Sequence, residues 1–197
     1  SEVIIGNTTA GTTTTVSGVA NFNVTHNLAA DNNLSFGANA FGSLVPTSAQ
    51  NNTAIGIGSM TTVNTGDRNV AVGKDALATL STGDDNIGIG NTTGGTLATG
   101  SANVIIGNLA NVRSAANAYG VVVGEQATSG SNAVSIGAGT NSNNGGIAIG
   151  HLAAAGANAI SIGSATTPLT LSSGQNTGAA TLPITINGVQ YYIRIYT

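Results

Sequence analysis

The sequence has no cysteine and no tryptophan. Without cysteine there is neither a disulfide framework nor a thiolate metal site, and the redox compartment is left open. Charge is also scarce: Asp, Glu, Lys and Arg make up 6% of the chain, with a formal net charge of −3, against a usual share of about 25%. The four basic residues, Arg68, Lys74, Arg113 and Arg194, are scattered along the chain. They could neutralise few phosphates, which argues against a nucleic-acid partner. Aromatic residues are 4% of the total, so any core must be built from small aliphatic groups in a regular lattice, as in a solenoid. No apolar run approaches the roughly 18 residues of a membrane-spanning helix, and no membrane insertion is expected. Ser1 is not followed by a basic and then an apolar leader segment. A chain rich in Gly, Ser and Asn could be disordered, but its 41% hydrophobic content and the regular spacing of Val and Ile argue against that.

What the sequence does have is a repeat: aliphatic, small, aliphatic, glycine, usually preceded by Asn. Its copies include Val3-Ile4-Ile5-Gly6, Leu34-Ser35-Phe36-Gly37, Val70-Ala71-Val72-Gly73, Ile87-Gly88-Ile89-Gly90, Val121-Val122-Val123-Gly124 and Ile147-Ala148-Ile149-Gly150. Taking Ile55-Gly56-Ile57-Gly58 as a further copy, the closing glycines from Gly58 to Gly163 are spaced by 15, 17, 17, 17, 13, 13 and 13 residues. Large–small alternation is the period-2 signature of a strand, with the two β-branched residues on one face and the small residue on the other. The large pairs are read as the buried set, in the repeat or its assembly: Ile55, Ile57, Val70, Val72, Ile87, Ile89, Val104, Ile106, Val121, Val123, Val134, Ile136, Ile147, Ile149, Ile160 and Ile162. The closing glycine suits a corner that needs positive φ or close backbone approach. The preceding Asn (Asn52, Asn69, Asn86, Asn103, Asn132, Asn158) suits a turn in which it bonds its own backbone. Stacked corners would then form ladders of Asn and Gly.

The longer repeats carry a second apolar pair, as in Leu77 with Leu80, Met60 with Val63 and Leu109 with Val112. Poor helix formers surround these pairs, which favours a second short strand or an irregular turn closing each coil. The expected fold is all-β: a parallel β-roll, or β-helix-like solenoid, of 13 to 17-residue rungs. Each buried Val or Ile contributes about 1.5–3 kcal/mol, whereas ordering each residue costs about 1–2 kcal/mol in backbone entropy. Two anchors per rung are therefore too few, and a second apolar interface between copies, a homotrimer, is expected.

Asn132-Ala133-Val134-Ser135-Ile136-Gly137, Asn158-Ala159-Ile160-Ser161-Ile162-Gly163 and Asn69-Val70-Ala71-Val72-Gly73 resemble the head repeats of trimeric autotransporter adhesins. Similar repeats occur in phage tail fibres, and Gly66 to Leu77, with its longer inter-strand stretch, resembles that version. The resemblance covers about residues 50–163 and implies a left-handed parallel β-roll trimer. It would make the chain a virion fibre component, with other fibre or virion proteins and a host-surface polysaccharide or protein receptor as partners. The alternative is the head of an adhesin on the bacterial cell surface. The chain lacks a heptad stalk and a membrane-anchor barrel. Instead Thr181–Ile186 and Val189–Tyr196 flank Asn187-Gly188, a strong hairpin signal that is expected to close the chain and favours the fibre. Three segments follow: an N-terminal cap or attachment segment with partial repeats over 1–51, a repeat shaft over 52–167, and a hairpin cap over 168–197.

Residues that could carry chemistry are few. His26 and His151 have no clustered ligands around them, and Asp67, Asp84 and Asp85 read as solvated turn residues. No Gly-x-x-x-x-Gly-Lys-Ser/Thr phosphate loop occurs. Neither Gly94-Gly95 nor Gly145-Gly146 continues into a calcium-binding nonapeptide, and Thr12 to Thr15 do not repeat at a strand position as an ice-binding face would require. A polysaccharide-cleaving spike would need paired carboxylates across a groove, whereas Asp84 and Asp85 are adjacent. No catalytic residue, cofactor or metal is expected. Tyr191, Tyr192 and Tyr196 are candidates for capping the roll or touching a receptor.

Overall fold

A short strand, a glycine corner and a return loop form one rung, and the rungs stack in register. The computed structural model describes residues 24–26, 32–42, 48–164, 180–186 and 189–195. The long sheet has ten strands: β1 (Val24–His26), β2 (Leu34–Phe36), β3 (Thr53–Ile55), β4 (Val70–Val72), β5 (Ile87–Ile89), β6 (Val104–Ile106), β8 (Val121–Val123), β10 (Val134–Ile136), β12 (Ile147–Ile149) and β14 (Ile160–Ile162). From β2 onward neighbouring strands are parallel, and β1 runs antiparallel to β2 at one end. The first parallel rung thus lies within the 1–51 segment. A second, four-stranded sheet forms the return side of the later rungs: β7 (Asn111–Val112), β9 (Thr128–Ser129), β11 (Asn141–Ser142) and β13 (Ala154–Ala155). This is an all-β parallel solenoid.

The pairings Val70↔Ile87 and Val104↔Val121 give rungs of 17 residues, and Val121↔Val134 and Val134↔Ile147 give rungs of 13. One early register differs from the sequence reading. Strand β3 is Thr53–Ile55, with Ile55 opposite Val72, so the corner glycine of that rung is Gly56, 17 residues before Gly73. Ile57 lies beyond the corner and is 57% exposed. The cause is steric: at Gly56, with φ 133°, a Cβ would run into the backbone of Gly73, and the same holds for Gly73 against Gly90. Only a column of glycines lets these corners stack so closely.

Burial within the chain also departs from expectation. From β2 to β12 the middle residue of each strand of the long sheet points into the roll: Ala54, Ala71, Ile105, Val122, Ser135 and Ala148 are all buried. The flanking pairs share the outer face. Val70, Val72, Val104, Ile106, Val121, Val123, Val134 and Ile147 are half-buried, whereas Ile55, Ile87, Ile89, Ile136, Ile149, Ile160 and Ile162 are exposed. The interior has room for only one side chain from the long sheet in each rung. It takes one residue from the long sheet and closes against residues from the return side, Met60, Val63, Leu77, Leu80 and Leu97 in the wide rungs. Both expected forms of that return side occur. Leu80 N donates to Leu77 O (3.1 Å), and Leu97 N to Gly94 O (3.0 Å), as turns, while Val112 is buried on β7 and Leu109 is exposed. In the narrow rungs the interior shrinks to Ser135, Ser142, Ala148 and Ala155, with Ser135 Oγ and Ser142 Oγ 2.7 Å apart.

The asparagines build a buried ladder. Asn52 Oδ1 accepts from the backbone N–H (2.8 Å) and Nδ2 (3.1 Å) of Asn69. Asn69 receives Asn86 in the same way, and Asn86 receives Asn103. The remaining amide proton goes to a carbonyl of the next rung, Gly83 O for Asn69 and Gly100 O for Asn86. These bonds run from rung to rung and not to each residue's own backbone. The ladder ends at Gly120, whose N–H reaches Asn103 Oδ1 at 2.9 Å while Asn117 Nδ2 takes the second site. Asn132 and Asn158 are not part of it. They stand one position earlier, in a left-handed corner column with Arg68, Asp85, Ala102 and Tyr119.

Strands β15 (Ala180–Ile186) and β16 (Val189–Ile195) form the expected antiparallel hairpin, with Ile186 opposite Val189. Its turn residues 187–188, Tyr196, and the repeat-like Val3 to Gly6 and Thr12 to Thr15 lie outside the described residues.

Candidate functional site

Two columns of β-branched side chains run side by side along the outer face of the long sheet. One holds Val70, Ile87, Val104, Val121, Val134, Ile147 and Ile160; the other holds Val72, Ile89, Ile106, Val123, Ile136, Ile149 and Ile162. Parallel in-register stacking puts each residue directly against its counterpart in the next rung. The repeat that builds the strand therefore also builds a continuous apolar stripe. Isolated exposed apolar side chains are ordinary, but a contiguous stripe marks an interaction surface. The predicted large pairs are brought together here, with the exception of Ile57.

A polar edge accompanies the stripe. Arg68 binds Asp85 through two hydrogen bonds, Nε to Oδ1 at 2.7 Å and an Nη to Oδ2 at 2.9 Å. Asp67 and Asp84 lie farther from Arg68, at 3.7 and 3.8 Å. The hydrogen bond from Arg68 holds the Asp85 carboxyl below the usual carboxylate range, against a smaller desolvation effect. Asp67 and Asp84 are tied into the corners: Asp67 Oδ1 accepts from Gln50 N at 2.7 Å, and Asp84 Oδ1 from Asp67 N at 2.8 Å. Their oxygens serve as rung-to-rung acceptors in turns. His151 is exposed, and no group of three or more His, Asp or Glu able to hold a metal occurs among the described residues. No helix of the described residues is long and apolar enough to cross a membrane.

No family model matches the chain, and no curated protein or solved structure matches it either. The parallel β-solenoid nonetheless has the shape of fibrous and repeat proteins as a general class.

Sequence reasoning missed the inward residues Ala71, Ile105 and Val122.

Proposed function

We propose that the chain is a non-enzymatic structural and recognition component of a trimeric surface fibre, a phage or virion tail fibre or spike that contacts a host receptor. The apolar stripe carries this reading. A solenoid rung touches only its neighbours, and of the large aliphatic side chains on the strands β2 to β12 of the long sheet only Ile105 and Val122 are buried inside, the rest facing outward. Covering them requires another surface. Because the stripe has two columns, three copies around an axis can each offer one column to each neighbour. Such a shaft has no free face of the long sheet, and the polar corners and return loops become its outer surface.

The narrow rungs, from β8 to β14, are the part that most resembles adhesin heads, and they support the second reading, a bacterial surface adhesin. In both readings the hairpin β15–β16 is proposed to cap the shaft, where an open strand edge would otherwise pair with other molecules.

Sedimentation velocity and adsorption to intact bacterial cells test the proposal together. A particle of three chain masses that adsorbs to a subset of strains is the expected result. A stable folded monomer would remove the fibre reading, and a trimer that adsorbs to no cell type would remove the recognition role.

A further inference from the structure

A column of side-chain oxygens ties each rung to the one before it. Gln50 N donates to Asp67 Oδ1 (2.7 Å), Asp67 N to Asp84 Oδ1 (2.8 Å), Asp84 N to Ser101 Oγ (3.0 Å) and Ala118 N to Ser131 Oγ (3.3 Å). Asn144 continues the column, accepting from Ser131 N at 3.0 Å. It differs from the others in two respects. Its acceptor belongs to a carboxamide, and the residue after it is glycine; Asn144-Gly145 is the one Asn-Gly pair among the described residues.

That pair has a chemistry of its own. The backbone nitrogen of the following residue can attack the carboxamide carbon and close a five-membered ring. The N–Cγ bond forms as the Cγ–Nδ2 bond breaks, and ammonia leaves with the proton of the attacking N–H. Water then opens the succinimide at either carbonyl, giving aspartate or isoaspartate. A side chain on the following residue hinders the attack, and glycine has none. Asn144 is exposed, so water reaches it freely.

In the stacked roll the reacting groups are held apart from this course. Gly145 N, the nucleophile, donates to Ser131 O at 2.9 Å, while Asn144 Oδ1 accepts from Ser131 N. Both ends of the ring to be closed thus clasp one residue of the previous rung. From the other side Asn158 N donates to Asn144 O at 3.1 Å, and Gly146 N closes the turn on Asn143 O at 2.8 Å. Ring closure needs Gly145 N without its proton and the carboxamide turned onto it, which breaks both bonds to Ser131. The carboxamide is also seated against backbone, because Gly130 lies beneath it where a Cβ would collide with Asn144 Oδ1.

We propose that Asn144 is a deamidation site gated by rung stacking, inert in the closed roll and converted when the narrow rungs open. Local opening of this kind exposes single elements without unfolding the whole chain. The two products differ in consequence. Aspartate keeps an oxygen in the same place, as Asp84 does for Asp67 N, and the rung closes again. Isoaspartate carries the backbone through Cγ and lengthens it by one atom, which breaks the register with Ser131 and Asn158 and makes the opening permanent. The gate needs only the chain's own rungs and is independent of the fibre reading.

To test this, the full chain is aged at mildly alkaline pH, in buffer and in concentrated urea. Conversion at residue 144 is followed by peptide mass spectrometry, with aspartate and isoaspartate separated by chromatography. In urea Asn144 should convert alongside Asn187, the other Asn-Gly asparagine of the sequence. In buffer its conversion should be at least about tenfold slower, because only the opened fraction reacts, and the Gly145 N–H should be protected from hydrogen exchange. Asn144→Asp should melt with the wild type, whereas the isoaspartate fraction should melt lower. Equal rates in buffer and urea would overturn the gate, and an Asn144 that stays intact in urea while Asn187 converts would remove the site. An Asn144→Asp chain that melts as low as the isoaspartate fraction would overturn the distinction between the products.

Discussion

Gly88 lies against Leu77: a Cβ at Gly88 would stand 2.6 Å from Leu77 Cγ. Across the roll interior the sizes are exchanged in the next rung. Ile105 takes the inward position of β6, and Gly94 takes the position that Leu77 holds one rung earlier, where an added Cβ would lie 3.3 Å from Ile105 Cδ1. The core is a sequence of large–small pairs. Gly88→Val should therefore destabilise the roll by about 1–3 kcal/mol through overpacking, and Leu77→Ala by about 2–5 kcal/mol through the cavity it leaves. The double variant should lose less than the sum of the two. Urea denaturation of the three variants measures this coupling, and strict additivity would show that the two side chains do not share space.

The Asn ladder should be far more sensitive than the Asn corner. Asn86→Ala removes the acceptor for Asn103 N and leaves Gly100 O without its donor, inside the protein. At about 1–3 kcal/mol for each stranded group, the loss should reach about 2–6 kcal/mol. Asn132→Ala, exposed in a left-handed corner, should cost about 1–2 kcal/mol. Equal melting of the two variants would contradict the buried ladder.

Ile89→Asp should abolish assembly while leaving the β-sheet circular dichroism of the chain in place, because Ile89 faces out of its own roll. Ile57→Asp should not, since Ile57 lies beyond the corner glycine and outside both columns. Asp84→Ala should also leave assembly intact. Sedimentation velocity on the three variants reads the result directly; an Ile89→Asp particle of wild-type size would rule out the stripe as the interface.

The Arg68–Asp85 pair predicts a titration. The Asp85 carboxyl is held below its ordinary value by the hydrogen bond from Arg68, so whatever the pair contributes is present above the unfolded-state pKa. It is lost as pH falls through the lower folded-state value. Arg68→Ala should move the Asp85 titration, followed by carboxyl ¹³C NMR, upward toward the ordinary value. Both groups are exposed, so melting at neutral pH should change little. An unmoved Asp85 titration would mean that the pair does not persist in solution.

The repeat, its strand character, the glycine corners and the one-sidedness of the β-branched residues were legible in the sequence, because period-2 alternation and glycine spacing are local properties of the chain. The terminal hairpin was legible for the same reason, since Asn187-Gly188 lies between two apolar runs. Which side of each strand faces inward was not. Alternation separates two faces without saying which one the chain itself encloses, and the answer came from the width of the coil, which admits Ala71 and leaves Val70 and Val72 outside. The register of Ile55 against Val72 was decided in the same way. Both Gly56 and Gly58 could close a strand locally, but only Gly56 stacks on Gly73 with no side chain between them.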